Sequence, residues 1–139
     1  MEHATVSHRL ALSLLSAAGD DLPLCAELRY SAQDPLAVEA LFDDGRPDPV
    51  RWVLARDLLS AGLDRRTGDG DVIVWPTQDA LDRSAVHLRL RSPNGDALLE
   101  APADAVAAFL AETARLVPLG TEYQHLDVDA ALEWLLGES

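Results

Sequence analysis

The chain is poor in several residue types on which particular classes of protein depend. Cys25 is its one cysteine, so neither an intrachain disulfide framework nor a thiolate metal site can form, which fits a reduced, cytoplasmic setting. Lysine is absent, and all eleven basic residues are arginine. No apolar run approaches the roughly 18 residues of a membrane span, and the N-terminus lacks the pattern of a signal peptide. We therefore expect only an indirect role at a membrane.

The charge balance is strongly acidic. Against the eleven arginines stand 24 acidic residues, which gives a formal net charge of -13. A field of this sign repels phosphate backbones and anionic lipid headgroups, so nucleic acid is an unlikely partner. With 139 residues, 48% of them hydrophobic, the chain is long enough to bury one core without metal or disulfide. We predict a single domain over residues 1–139.

The sequence contains no recognisable catalytic constellation. Cys25 could pair with a nearby histidine, but a lone cysteine on a strand more often packs as a small apolar residue. Asp64, Asp69 and Asp71 stand among glycines as in a calcium loop, yet the ligand spacing and closing glutamate of an EF-hand are missing. We interpret this segment as a tight turn. The expectation is a protein without catalysis, cofactor, metal or small-molecule substrate.

Hydrophobic periodicity predicts an α+β fold. Apolar residues alternate with polar ones, or form short β-branched runs, at residues 6–14, 24–30, 36–42, 50–55, 72–75, 86–91 and 97–100, which predicts seven strands. In the third strand, Leu36, Val38, Ala40 and Phe42 are expected to face the core. The chain thus divides into two antiparallel β-meander-plus-helix halves, at about 1–66 and 67–139, that share one core.

Three helices are predicted from a change to helical spacing. The first begins at Arg56, with Gly62 as its stop, and the second follows Pro102 with an apolar stripe from Val106 to Val117. Asp127 is a good N-cap for a third, in which Trp134 lies off the apolar stripe.

Arginines on the predicted strands give two alternative interpretations. These residues are Arg9, Arg29, Arg51, Arg89 and Arg91. A local basic face could bind single-stranded nucleic acid if aromatic rings lay between the arginines. Glu27 and Glu39 occupy comparable strand positions, however, so cross-strand ion pairs are the favoured interpretation.

Five ordered segments carry a resemblance to a known family. They are AELRYSAQDPLAVEALF (26–42), WVLARDLLSAGL (52–63), TGDGDVIVWP (67–76), SPNGDALLEAPADAVAAFL (92–110) and VPLGTEYQHLDVD (117–129). In these segments the chain resembles the SsgA-like proteins of sporulating actinomycetes. The WPT and LLEAP runs favour the SsgB-like branch of that family.

The resemblance implies a function in cell division. Proteins of this branch recruit the tubulin-like protein FtsZ to future septum sites during sporulation, promote assembly of the Z-ring and work with SsgA-like partner proteins. The family fold is similar to the Whirly and guide-RNA-binding-protein architecture, in which subunits form a homotrimer. Similarity to a nucleic-acid-binding fold does not transfer nucleic-acid binding. The resemblance therefore predicts a non-enzymatic adaptor at the division septum.

Two places are candidates for contact with a partner protein. A tryptophan off the apolar stripe of a helix, such as Trp134, either packs under a neighbouring loop or anchors an interface. The turn Pro118, Leu119 and Gly120, which ends the second helix, is the other candidate.

Overall fold

The computed structural model describes residues 4–43, 45 and 47–122. In chain order its elements are β1 (Thr5–Leu14), β2 (Leu22–Ser31), β3 (Asp34–Asp43), β4 (Val50–Ala55), α1 (Arg56–Gly62), β5 (Val72–Gln78), β6 (Ser84–Ser92), β7 (Gly95–Pro102) and α2 (Ala103–Leu116). All seven predicted strands and the first two helices are present, and each meander ends in a helix. The third predicted helix, from Asp127 and including Trp134, lies outside the described residues.

The seven strands form one antiparallel sheet in the order β4-β3-β2-β1-β7-β6-β5. The two meanders join where β1 pairs with β7, through Ser13 opposite Glu100 and Leu14 opposite Leu99. Helix α2 packs on β1, β6 and β7, whereas α1 contacts β3, β4 and β5. Since α1 touches strands at both ends of the sheet order, the sheet curls around the helices.

The core lies between the inner face of this curled sheet and the two helices. On α2 the buried residues are Val106, Phe109, Leu110 and Thr113, with Val117 at its end, as helical spacing predicted. Phe109 and Val117 are completely inaccessible to solvent. Complete burial of side chains of this size stabilises the fold by about 1.5–3 kcal/mol each. The 3.6-residue period of the sequence therefore placed α2 correctly.

Two predictions on the strands are wrong. Leu36 is 41% exposed, whereas Pro35 is buried and its carbonyl accepts a hydrogen bond from the Tyr30 hydroxyl at 2.9 Å. The cause is an irregularity in the β2–β3 register between Arg29 and Ser31, where Ser31 pairs with Asp34, three positions from the residue that the preceding register would give; an odd shift exchanges the two faces of the strand. Cys25 does not pack in the core, because it lies exposed on the outer face of β2.

Helix α1 ends at Gly62, as predicted, but the glycine also has a packing role that the sequence did not indicate. It is the last residue of α1 and is buried, and Leu63 caps the helix in an ordinary right-handed conformation. A Cβ atom at position 62 would lie 2.2 Å from Cγ1 of Val74 on β5. The glycine is thus required for the close approach of α1 to β5, at the junction between the two halves.

Within the described residues no helix is long and apolar enough to cross a membrane.

Candidate protein-interaction site

The predicted contact turn Pro118–Gly120 forms a defined structure after α2. The Thr121 backbone N–H donates to the Pro118 carbonyl at 3.1 Å, and the Thr121 hydroxyl donates to the same oxygen at 2.7 Å. Gly120 has φ +89°, the left-handed conformation that the third position of a type II turn requires. Leu119, at the second position, is 54% exposed. The turn therefore presents Leu119, beside the exposed Pro118, to solvent on a hydrogen-bonded backbone.

A buried carboxylate, that of Glu122, is hydrogen-bonded to the backbone of the turn. Glu122 is 5% exposed, and its Oε1 accepts a hydrogen bond from the Gly120 backbone N–H at 2.8 Å. Its Oε2 accepts from Nη2 of Arg56, also at 2.8 Å. The conformation of the exposed turn is thus tied to a buried ion pair.

Arg56 links this turn to the first half of the molecule. It is the first residue of α1, and its side chain is 1% exposed. Its Nη1 donates to the carbonyls of Thr113 at 3.2 Å and Val117 at 2.7 Å, at the end of α2. The Thr113 carbonyl also accepts the Val117 backbone N–H at 2.8 Å, whereas Val117 lies just beyond the helix, where carbonyls need partners from outside it. The guanidinium also lies over the Tyr30 ring, 4.9 Å from its centroid. A single cation therefore connects α1, β2, the end of α2 and the turn.

The surroundings of the ion pair shift the titration of two side chains. The hydrogen bond from Arg56, followed by backbone N–H donors that include Gly120, lowers the pKa of Glu122 below its usual value. Burial raises the pKa of Tyr30, although the nearby Arg56 opposes this. Glu122 is therefore ionised at neutral pH and Tyr30 is a neutral phenol, so the ion pair and the cation–π contact coexist there.

Sequence reasoning missed Arg56 and Glu122 as parts of this site. The sequence pattern indicates Arg56 only as the start of α1. Its position three residues before the buried Leu59 was a signal that it could face inward, because residues three apart lie on the same side of a helix. Glu122 offered no such signal. Its partner is 66 positions away in the chain, and only the fold brings the two together.

The strand arginines are paired with acids, as the favoured interpretation predicted. Arg29 donates to Glu27 at 3.0 Å and lies 3.6 Å from Glu39, which also accepts from Arg51 at 2.5 Å. Arg89 and Arg91 both approach Asp96, at 3.0 and 3.4 Å. Arg9 is opposite Glu27 in the β1–β2 register. These carboxylates hold four of the five arginines in ion pairs, which reduces the positive charge on which a nucleic-acid site would depend.

Histidine and cysteine side chains are not brought together among the described residues. His8 pairs with Glu112 of α2 and packs edge-on against Phe109, whereas His87 bonds Glu100 at 2.9 Å on the outer face. No histidine lines the surface depression beside Cys25. In the same part of the chain, no group of three or more His, Cys, Asp or Glu side chains is placed to hold a metal ion.

Comparison with known proteins identifies the family. Residues 24–122 match the family described as Streptomyces sporulation and cell division protein, SsgA. The sporulation-specific cell division protein SsgB of Streptomyces coelicolor is 48% identical over 99% of both chains, and SsgB of Thermobifida fusca is 40% identical over 92% of both.

Solved structures agree with the sequence matches. One solved structure is that of Streptomyces coelicolor SsgB, from a study that relates its mutations to longitudinal cell division during sporulation. It superimposes on this chain with a TM-score of 0.86 at 48% identity, and the match covers 90% of this chain and 98% of that one. The crystal structure of the SsgA-like protein of Thermobifida fusca gives a TM-score of 0.85 at 38% identity, covering 98% of each chain. The chain belongs to the SsgA-like family of sporulation and cell division proteins, and its relatives include several SsgB proteins.

Proposed function

We propose that this protein is a non-enzymatic adaptor in sporulation-specific septation, which recruits FtsZ to septum sites and promotes Z-ring assembly. It would act in the cytoplasm at the division septum, with SsgA-like partner proteins and only indirect contact with the membrane. Relatives over nearly the whole chain are named sporulation-specific cell division proteins. In one of them, SsgB of Streptomyces coelicolor, mutations correlate with longitudinal cell division. A role in placing the septum follows most directly from these relatives.

The observation that carries the contact assignment is the Pro118–Gly120 turn. Leu119 is exposed, while the backbone that presents it is fixed by Gly120, Thr121 and the buried Glu122. Because a turn already held in one conformation loses little conformational freedom on binding, it suits an interface. Pro118, Leu119 and Gly120 are therefore the proposed contact with the partner, together with Trp134.

Binding through several linked copies of the turn would compensate for the small size of each contact. A homotrimer with the proposed Whirly-like arrangement presents three copies of the turn, and a filament offers repeated copies of the site that it recognises. Linked copies bind with an effective concentration that can raise avidity about 10²–10⁴-fold over one contact. A weak single site then suffices, and binding would favour assembled FtsZ over free subunits.

Single-stranded nucleic acid is the alternative ligand, and the ion pairs of the strand arginines oppose it. Arg29, Arg51, Arg89 and Arg91 are held in ion pairs with Glu27, Glu39 and Asp96, and the chain as a whole, with a net charge of -13, repels a phosphate chain. We expect a labelled single-stranded oligonucleotide to remain unbound even at low salt, where electrostatic binding is strongest. A salt-dependent shift of the oligonucleotide would favour the alternative.

Co-sedimentation tests the proposed function. The purified protein is mixed with FtsZ under assembling and non-assembling conditions, and its mass in solution is measured in parallel. We expect it to pellet with filaments, to remain in the supernatant with unassembled FtsZ, and to have the mass of a trimer. A protein that stays in the supernatant at all filament concentrations would contradict FtsZ recruitment.

A further inference from the structure

Strand β4 is one of the two edges of the sheet. It pairs through Val50–Ala55 with β3 alone, and no other backbone hydrogen bond to β4 occurs among the described residues. An edge strand presents every second residue's N–H and C=O groups away from the sheet. The edge of β4 is therefore a template on which an extended segment could form a further strand.

The opposite edge, β5, is protected by the chain itself. Thr67 exchanges two backbone hydrogen bonds with Val74, from Thr67 N–H to Val74 C=O at 2.8 Å and in the reverse direction at 2.9 Å. Pro76, two residues on, has no N–H to donate. Arg66 covers the Trp75 ring, with its guanidinium carbon 4.9 Å from the ring centroid. The bridge to Thr67 and the missing N–H of Pro76 are thus two devices that prevent strand addition at β5.

Two devices that protect an edge strand, a bulge and a proline within the strand, are absent from β4. Its register with β3 is continuous over six residue pairs, without a bulge, and the strand contains no proline. Its one charged residue, Arg51, is neutralised by Glu39 at 2.5 Å. Val50 and Val53 are 45% and 50% exposed. A regular edge with two exposed valines, and with its one charge held in an ion pair, is a kind that other strands can join.

We propose that β4 binds an extended segment of another protein as an eighth strand. The main-chain hydrogen bonds would supply the affinity, and β-branched side chains at alternate positions would lie beside Val53 on the outer face. Acids flank the strand, since Asp48 precedes it by two residues and Asp57 follows it by two. The segment that fits is therefore short, β-branched and flanked by basic residues.

Local charge favours another protein over a second copy of this chain at this edge. If β4 of one copy paired antiparallel with β4 of another, Asp48 of each copy would lie near Asp57 of the other, and these like charges would repel each other. This site is separate from the Pro118–Gly120 turn, and it does not depend on the proposed FtsZ contact.

A synthetic peptide tests the proposal. The probe is a fluorescein-labelled peptide of two lysines, an alternating Val-Thr-Val-Thr core and two further lysines. Its control carries N-methyl groups on all four core amides, which keeps the charge but removes the donors. Val53→Lys adds a charge to the edge at an exposed position, and Leu81→Lys, at a residue that is 71% exposed in the β5–β6 loop, is the matched protein control.

We expect the probe to bind the unmodified protein and Leu81→Lys equally in fluorescence anisotropy. Val53→Lys and N-methylation of the probe should each weaken binding at least about tenfold, a loss of about 1.4 kcal/mol. In the complex, hydrogen exchange should slow at residues 50–55. Equal binding of the N-methylated probe, equal binding by Val53→Lys, or slowed exchange elsewhere would overturn the proposal. So would a lower mass of the free Val53→Lys protein, because the edge would then join copies of this chain.

Discussion

Replacement of Arg56 by methionine is expected to destabilise the fold severely. Methionine keeps much of the apolar stem, but it removes the guanidinium, so that Oε2 of Glu122 and the Val117 carbonyl lose their donor and the Thr113 carbonyl loses one of two donors. Breaking a buried ion pair by removing one partner costs about 3–5 kcal/mol. The contact with the Tyr30 ring is lost as well.

The expected size of the effect in a melting experiment follows from the chain length. For a domain of 139 residues, 1 kcal/mol corresponds to a change of roughly 3 °C in Tm. Arg56→Met should therefore lower Tm by about 10–15 °C. The assay is thermal unfolding at neutral pH followed by far-UV circular dichroism, with guanidinium chloride titration as a second measurement.

Arg51→Met is the matched control, because it removes the same group from an exposed ion pair. The Arg51 side chain is 59% exposed and its partner is Glu39. Surface pairs contribute at most about 1 kcal/mol, so this variant should lose roughly 3 °C or less. If the two variants unfolded at the same temperature and denaturant concentration, the buried ion pair would not hold the two halves together.

Three further predictions concern Glu122, Gly62 and Trp134. Because the pKa of Glu122 is lowered in the folded protein, its ionised form stabilises the fold above the unfolded pKa, near 4.5. This stabilisation is lost as the pH falls through the lower pKa of the folded state. In urea titrations from pH 7 downward, Glu122→Gln should therefore lose less stability on acidification than the unmodified protein. Gly62→Ala should cost about 1–3 kcal/mol in the same titration, because its Cβ would overlap Val74, whereas Gly70→Ala meets no atom within 4 Å and should cost much less. Trp134→Ala should weaken pelleting with FtsZ filaments while thermal unfolding shows a folded protein; unchanged pelleting would remove Trp134 from the contact.

Most of the fold was predictable because its determinants are local. Alternation of side chains over six to ten residues located the strands, and spacing of three and four located α2. The prediction for Leu36 failed because an irregularity after Arg29 shifts the phase of β3, and no local pattern marks that shift. The sequence indicates that α1 ends at Gly62, but it does not indicate the contact of Gly62 with Val74, because that contact depends on how α1 lies against β5.

The candidate site was predictable only in part. The turn Pro118–Gly120 follows from proline and glycine at the end of a helix. The buried ion pair that supports the turn could not be predicted in this way, because Arg56 and Glu122 lie in different halves of the chain. An arginine in a strand-to-helix segment is ordinarily solvated, and its burial becomes favourable only where carbonyls at the end of α2 and a carboxylate accept hydrogen bonds from its two terminal nitrogens.

Pelleting of a turn variant with FtsZ filaments tests the central claim most directly. Leu119→Asp changes the exposed residue of the turn, and Leu81→Asp makes the same change at a 71% exposed leucine in the β5–β6 loop. Both variants should unfold at nearly the temperature of the unmodified protein. We expect Leu81→Asp to pellet with filaments as the unmodified protein does, and Leu119→Asp to remain largely in the supernatant. Equal pelleting of the two variants would contradict the proposal that the Pro118–Gly120 turn binds FtsZ.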